Sequence, residues 1–356
     1  MPDLSPKNVA SYLGSVLGEP VTVHALTPLG GRAADVKGYG YGTPVRVDYE
    51  SRGERRVAVL HTISPGPFGH EHMADRAAEL LWEHRAFNRL PRHVRSLDSG
   101  GFMEDGRLIP LGKLDELCLL TEYAEGREYA TDLQRICRDG CATPSDFARA
   151  DALCDYLAGI HQIAKDDPQL YLRRARELVG GNECIFGLTD SYPSNAIDGL
   201  EQIEHLAVDW RWRLKRYTHR LRQVHGDFHP WNILFASDTE FTLLDRSRGE
   251  FGDPADDVTS LTLNYVFFSL QRSGRLEGAF ENLFRRFWDR YLDRTGDREI
   301  LEVALPFCAF RGLVMASPVW YPALAGSVRS ALLRMIVAIL KVEAFDPASV
   351  NQYCGV

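Results

Sequence analysis

Lysine is scarce in this chain: Lys7, Lys37, Lys113, Lys165, Lys215 and Lys341 are all there are in 356 residues. Lysine and arginine together number 41 against 49 acidic residues, a net charge of −8. That balance excludes a general nucleic-acid-binding surface, which needs a basic excess to neutralise phosphates. It suits a cationic small substrate, and it equally suits plain solubility. No stretch approaches the ~20 apolar residues of a membrane span, so no membrane partner is expected. Met1-Pro2-Asp3-Leu4-Ser5 has neither a basic start nor an apolar run, so no secretory signal is expected. The seven cysteines lack paired metal-ligand spacing, and reduced thiols in a cytoplasmic protein follow. Cys137 and Cys141 are four apart without a second pair. No internal repeat and no low-complexity segment is present.

What the chain does have is His225-Gly226-Asp227-Phe228-His229-Pro230-Trp231-Asn232, with Asp245 downstream. Ile233–Phe235 and Phe241–Leu244 read as short strands joined by the polar turn Ala236-Ser237-Asp238-Thr239. Antiparallel pairing brings Asn232 and Asp245 to the open end of that hairpin. An amide and a carboxylate there offer hard oxygen ligands to a phosphate-bound divalent cation. Asp227, five residues before Asn232, has the place of a carboxylate that orients an attacking hydroxyl and takes its proton. This is the spacing of the protein-kinase catalytic loop. Gly226 replaces its Arg, however, and Arg246-Ser247 stand where Phe-Gly would follow the metal Asp.

With those two departures the segment resembles the aminoglycoside phosphotransferase and choline kinase-like family of small-molecule kinases. Members typically carry His-Gly-Asp, then Asn, then Asp in this spacing. Gly252-Asp253-Pro254-Ala255-Asp256-Asp257 is similar to the family's Gly-Asp-Pro stretch, and Leu157-Ala158-Gly159-Ile160-His161 to its helix before the catalytic loop. The resemblance is specific within 225–257 and loose over residues 20–270. It implies a two-lobed, protein-kinase-like α+β fold. A small antiparallel-sheet N-lobe would occupy residues 1–124, and a larger, mainly helical C-lobe 125–356. It also implies transfer of the γ-phosphoryl group of ATP or GTP, with Mg²⁺, to a small-molecule hydroxyl. Asp227 would then be catalytic, and Asn232 and Asp245 would hold the metal.

The coarse pattern agrees. Ser5 and Pro6 start a helix with Val9, Tyr12, Leu13, Val16 and Leu17 on one face. Strands are expected at Val21–Leu29, Val45–Tyr49 and Arg56–Ile63, a helix at 72–90, and strands again at Leu108–Leu111 and Leu117–Tyr123. Glu122, Tyr123 and Ala124 would form the hinge whose backbone meets an adenine edge. Thr143, Pro144 and Asp146 begin a long helix to about Lys165 with a capping-box-like start. Lys37-Gly38-Tyr39-Gly40-Tyr41-Gly42 is the candidate phosphate cradle, its glycines allowing close backbone approach. It fits neither a Walker A loop nor a Rossmann fingerprint.

One departure matters. Kinases of this fold carry a strand lysine that contacts the phosphates and pairs with a helix glutamate. Val57-Ala58-Val59-Leu60-His61-Thr62 has none. Lys37 or His61 is expected to take the role, with Glu83 or Glu79 as partner, although a one-residue slip would turn Leu60 inward instead. His70, His72 and His84 do not form a complete zinc ligand set. His225 and His229 are expected to position the loop, and Asp253 and Asp257 to brace it. Trp231 would narrow the acceptor pocket or anchor the core. The acceptor region is expected at about residues 168–222, with Glu183, Asp190, Glu201, Glu204, Asp209, Trp210 and Trp212. Arg246 and Arg248 would engage an anionic acceptor or brace the loop. Trp320-Tyr321-Pro322 and Leu332–Val342 read as core. An aminocyclitol antibiotic, a metabolic alcohol such as choline, a sugar or an amino alcohol, and a regulatory pseudokinase all remain open, as does the oligomeric state.

Overall fold

Pro6, with φ already fixed and no N–H to lose, opens α1 (Pro6–Leu17), and the Ser5 hydroxyl accepts from the Asn8 N–H at 3.2 Å. The structure is a computed structural model that describes residues 4–29, 42, 44–66, 69–193 and 199–356. It divides into two compact units, Met1–Thr121 and Glu122–Val356.

In the first unit, β1 (Val21–Pro28), β2 (Val45–Ser51) and β3 (Glu54–Leu60) form an antiparallel meander. Alternation along β2 buries Val47 and Tyr49 against Val9 and Leu13 of α1, a small core of its own. The helix α2 (Met73–Phe87) follows, and β4 (Gly100–Phe102) pairs with β5 (Leu108–Pro110). Leu60 packs against the small core, and His61 lies exposed just past the strand end. The strand expected at 117–123 does not form: these residues enter no ladder, and Leu119 and Leu120 are 89% and 96% exposed. Only Thr121 in that run is β-branched, and a strand persists only where a neighbouring edge takes its backbone groups.

The second unit is mainly helical. It contains β6 (Arg127–Glu128), α3 (Tyr129–Asp139), α4 (Pro144–Ile160), α5 (Pro168–Gly180), α6 (Ile185–Asp190) and α7 (Leu200–Leu214). Then come β7 (Arg222–Gln223), β8 (Ile233–Phe235), β9 (Phe241–Leu243) and β10 (Phe251–Gly252). The chain ends in α8 (Pro254–Ser273), α9 (Gly278–Thr295), α10 (Ile300–Ala316), α11 (Gly326–Ile339) and α12 (Val350–Cys354). Antiparallel β6-β8-β9 and β7-β10 are its small sheets. The capping box on α4 is real: Asp146 accepts from the Thr143 N–H at 2.6 Å while the Thr143 hydroxyl faces the Asp146 N–H.

Residues 257–270 of α8 are all buried, the mark of a helix surrounded by others. It packs against α3, α9, α10 and α11. This central helix positions the site, because its first turn lies under the 225–232 loop. Together the units make an α+β fold with a small antiparallel sheet in one and helices dominating the other. Among the described residues no helix is long and apolar enough to cross a membrane.

Candidate active site

Strands β8 and β9 pair in the register Ile233↔Leu243, and the Leu244 N–H donates to the Asn232 carbonyl at 2.9 Å. That last rung puts Asn232 and Asp245 beside each other at the open end. Asp245 takes φ +54°, a left-handed conformation that Asp tolerates better than most residues. The Asn232 side-chain N–H donates to the Asp227 carbonyl at 3.1 Å, which leaves its own amide oxygen as the available ligand atom. Among the described residues the Asp245 carboxylate enters no hydrogen bond or ion pair. An amide oxygen and a free carboxylate suit a hard divalent cation such as Mg²⁺.

The loop is fixed from below by Asp257, which is 0% exposed. Its two oxygens accept from the His225 and Gly226 N–H groups at 2.7 Å each, and His161 contacts it at 3.2 Å. His161 in turn meets the Tyr291 hydroxyl at 2.7 Å. Burial raises the Asp257 pKa, but His161 and the two backbone donors outweigh it and hold the carboxyl below its ordinary value. Gly226 sits at φ +85°, and a Cβ there would press on Arg248, so the Arg of the protein-kinase loop has no room. Asp253 caps α8 and accepts from Arg220 at 2.9 and 3.1 Å and from the Tyr171 hydroxyl at 2.8 Å.

Arg311, on α10, is the residue the sequence did not single out. It is 5% exposed and donates to Asp227 at 2.5 Å, to Asp256 at 2.6 Å and to the Gly226 carbonyl at 2.9 Å. Burial raises the Asp227 pKa, but the Arg311 guanidinium, with His229 and Arg248 behind it, brings it below the ordinary carboxylate value. Asp256 goes the other way, because burial and neighbouring Asp257 exceed what Arg311 returns. Burial also lowers the His229 pKa, against the pull of Asp227. The only sequence signal for Arg311 is its isolation as the lone charge in Leu305–Ala316.

Asp227 and Asp245 open onto a pocket of about 380 Å³ built wholly from the second unit. Trp231, Tyr321 and Trp320 form aromatic walls, and Arg248, Arg311, Ser260 and Asn264 add polar groups. Trp231 both lines the pocket and packs on the core, stacked on Phe268, so the two expectations for it are not exclusive. Trp320 is corrected from core to pocket wall, half exposed, because the chain between α10 and α11 turns past the catalytic loop, whereas Tyr321 lines the pocket and also packs on the core against Phe267. Of the acceptor residues named within 168–222, Glu183 alone lines this pocket, joined from that region by Leu188 among the described residues. Trp210 is core and donates to the Leu340 carbonyl, and Glu204 is bonded to Thr189. Arg246 braces the loop through the Val224 and Glu250 carbonyls. Arg248 stacks on Phe310, 3.9 Å from Asp227 and 3.7 Å from Glu183.

The nucleotide residues are placed unevenly. Lys37, Gly38 and Gly40 lie outside the described residues. Gly42 is described, and a Cβ there would run into the Thr62 carbonyl oxygen, so close chain crossing alone requires glycine. His61 and Glu83 line one cavity of about 370 Å³ in the first unit. Glu79 is instead engaged by His70 at 2.6 Å. Glu122, Tyr123 and Ala124 are in irregular backbone, with Tyr123 exposed. His84 bonds the Ser96 hydroxyl at 2.8 Å, so it and His70 turn to separate partners rather than to a shared metal.

Residues 70–299, well over half of the chain, match the profile of a family described as "Phosphotransferase enzyme family". No curated protein sequence matches the chain. Among solved structures, a glucosamine kinase is 15% identical with a TM-score of 0.36, over 100% of this chain and 97% of its own. A choline kinase from Streptococcus pneumoniae is 13% identical with a TM-score of 0.36, over 94% and 98%. An amicoumacin kinase is 14% identical with a TM-score of 0.41, over 91% and 94%.

Proposed function

The chain belongs to the phosphotransferase enzyme family, and from that membership we propose that it moves the γ-phosphoryl group of ATP or GTP to a hydroxyl of a small molecule. The observation that carries the reading is the placement of Asp227, Asn232 and Asp245 around one hairpin end, with Asp227 and Asp245 lining one pocket. The two-lobed, protein-kinase-like fold suits this activity. Asp227 would orient the acceptor hydroxyl and accept its proton. Held by Arg311, it is a weak base, and a loose phosphoryl-transfer transition state asks mainly for orientation. Asn232 and Asp245 would hold Mg²⁺, which when bound neutralises charge on the phosphate oxygens.

In this reading residues 1–124 form the nucleotide lobe and 125–356 carry the acceptor. Lys37, Gly38, Gly40 and Gly42 would cover the phosphates. His61 with Glu83, which share a cavity wall, would replace the missing lysine pair, and the backbone of Glu122, Tyr123 and Ala124 would meet the nucleobase. Seven free cysteines support a reducing, cytoplasmic setting. A pseudokinase is the second reading, favoured by the lysine-free β3.

Calorimetric titration with MgATP and MgGTP tests the metal assignment. Asp245→Asn should weaken binding at least about tenfold, and chelating Mg²⁺ should weaken the wild type similarly, as loss of a charged ligand implies. Binding unaffected by either change would contradict it.

A further inference from the structure

Ser260 and Asn264 stand one turn apart on the α8 face that lines the Asp227 pocket, each 1% exposed. The Asn264 N–H group donates to the Ser260 carbonyl at 2.8 Å, which fixes the amide and leaves its Oδ1 without a donor. The Ser260 hydroxyl has no partner either. Buried polar atoms are almost always satisfied, and two unpaired atoms one turn apart, on residues that line one cavity, mark a place where a ligand hydroxyl or water bonds. A hydroxyl answers both at once, donating to Asn264 Oδ1 and accepting from Ser260 Oγ.

The charges around the pocket select further. Among the described residues its carboxylates are Glu183, Asp227 and Asp245. Asp227 is neutralised by Arg311, Asp245 is assigned to the metal, and Glu183 is mostly exposed and faces Arg248 at 3.7 Å. Among the described residues no lining carboxylate is left to receive an ammonium group, and Arg311 is itself occupied by Asp227 and Asp256. A quaternary ammonium has no N–H to offer Asn264. Trp231 and Tyr321 supply flat apolar walls of the kind a ring can lie against. At about 380 Å³ the space is near the small end of ligand pockets, about 300–1,000 Å³.

We propose that Ser260 and Asn264 are the acceptor-recognition pair of this site and that the acceptor is a neutral, polyhydroxylated single ring, a sugar or cyclitol, rather than a polycation or a quaternary ammonium. Calling that ligand the acceptor rests on the phosphotransferase reading above.

Direct calorimetry with glucose and myo-inositol, against streptomycin, choline and gluconate, tests the pair without requiring turnover. A neutral ring should bind best. Ser260→Ala and Asn264→Leu should each weaken it roughly ten- to hundredfold, the loss expected when a bonded hydroxyl is left unpaired. Unchanged nucleotide affinity in both variants shows that they are folded. Preference for streptomycin, choline or gluconate, no binding by any of the five, or neutral-ring binding indifferent to both substitutions would overturn the assignment. Neutral-ring binding that depends on both residues, with no phosphate transfer from MgATP or MgGTP, would support the recognition pair and defeat the kinase reading.

Discussion

Replacing Arg311 by methionine keeps most of its volume and removes its charge, which isolates what the guanidinium does. The side chain is buried and satisfies three oxygens, at 2.5 Å on Asp227, 2.6 Å on Asp256 and 2.9 Å on Gly226. Removing one partner of a buried ion pair costs about 3–5 kcal/mol. Two carboxylates are orphaned here, but they can take up protons, so the loss should stay near that range at neutral pH and shrink in acid. The sign follows from linkage. In the wild type the depressed Asp227 pKa contributes stability above the ordinary carboxylate range, lost as pH falls through the depressed value. In Arg311→Met burial is unopposed, Asp227 and Asp256 hold protons that the unfolded chain has released, and stability falls as pH rises. Urea unfolding followed by tryptophan fluorescence reads this well, since five of the six tryptophans lie in the second unit. In turnover, the acidic limb of kcat/KM should move to higher pH. Arg311→Lys should fall between, because one ammonium cannot span three oxygens in fork geometry. A methionine variant as stable as wild type at pH 8, or with an unmoved acidic limb, would refute the reasoning.

Two further outcomes follow from the packing. Asp257→Ala strands two buried N–H groups of the catalytic loop and should destabilise the second unit by about 3–5 kcal/mol by urea unfolding. Because the Asp257 pKa is depressed, the wild-type advantage should vanish as pH falls through the depressed value. Thr143→Ala removes half of the α4 capping box and should cost about 1 kcal/mol in the same assay.

Local chemistry made much of this molecule legible beforehand. The caps on α1 and α4 and the β8–β9 hairpin are set by residues within a few positions of each other, and they form where the sequence put them. Asp253 and Asp257 could be expected to brace the loop because they follow it closely. The misses are long-range. Arg311 reaches Asp227 from 84 positions away, and in sequence it looks like one stray charge in an apolar helix. Ser260 and Asn264 carry no local sequence signal, because their unpaired atoms and the pocket they line appear only in the folded chain. Residues 117–123 had the apolar content of a strand but no edge to join.

The most direct test of the account is nucleotide-dependent phosphate transfer from MgATP and MgGTP to the hydroxylated panel, with Asp227→Ala in parallel. Transfer to at least one acceptor is expected from the wild type, with a loss of at least about a hundredfold in the variant, within the range that a positioned acid–base group contributes. Transfer that survives in Asp227→Ala, or nucleotide binding with no transfer to any acceptor, would contradict it.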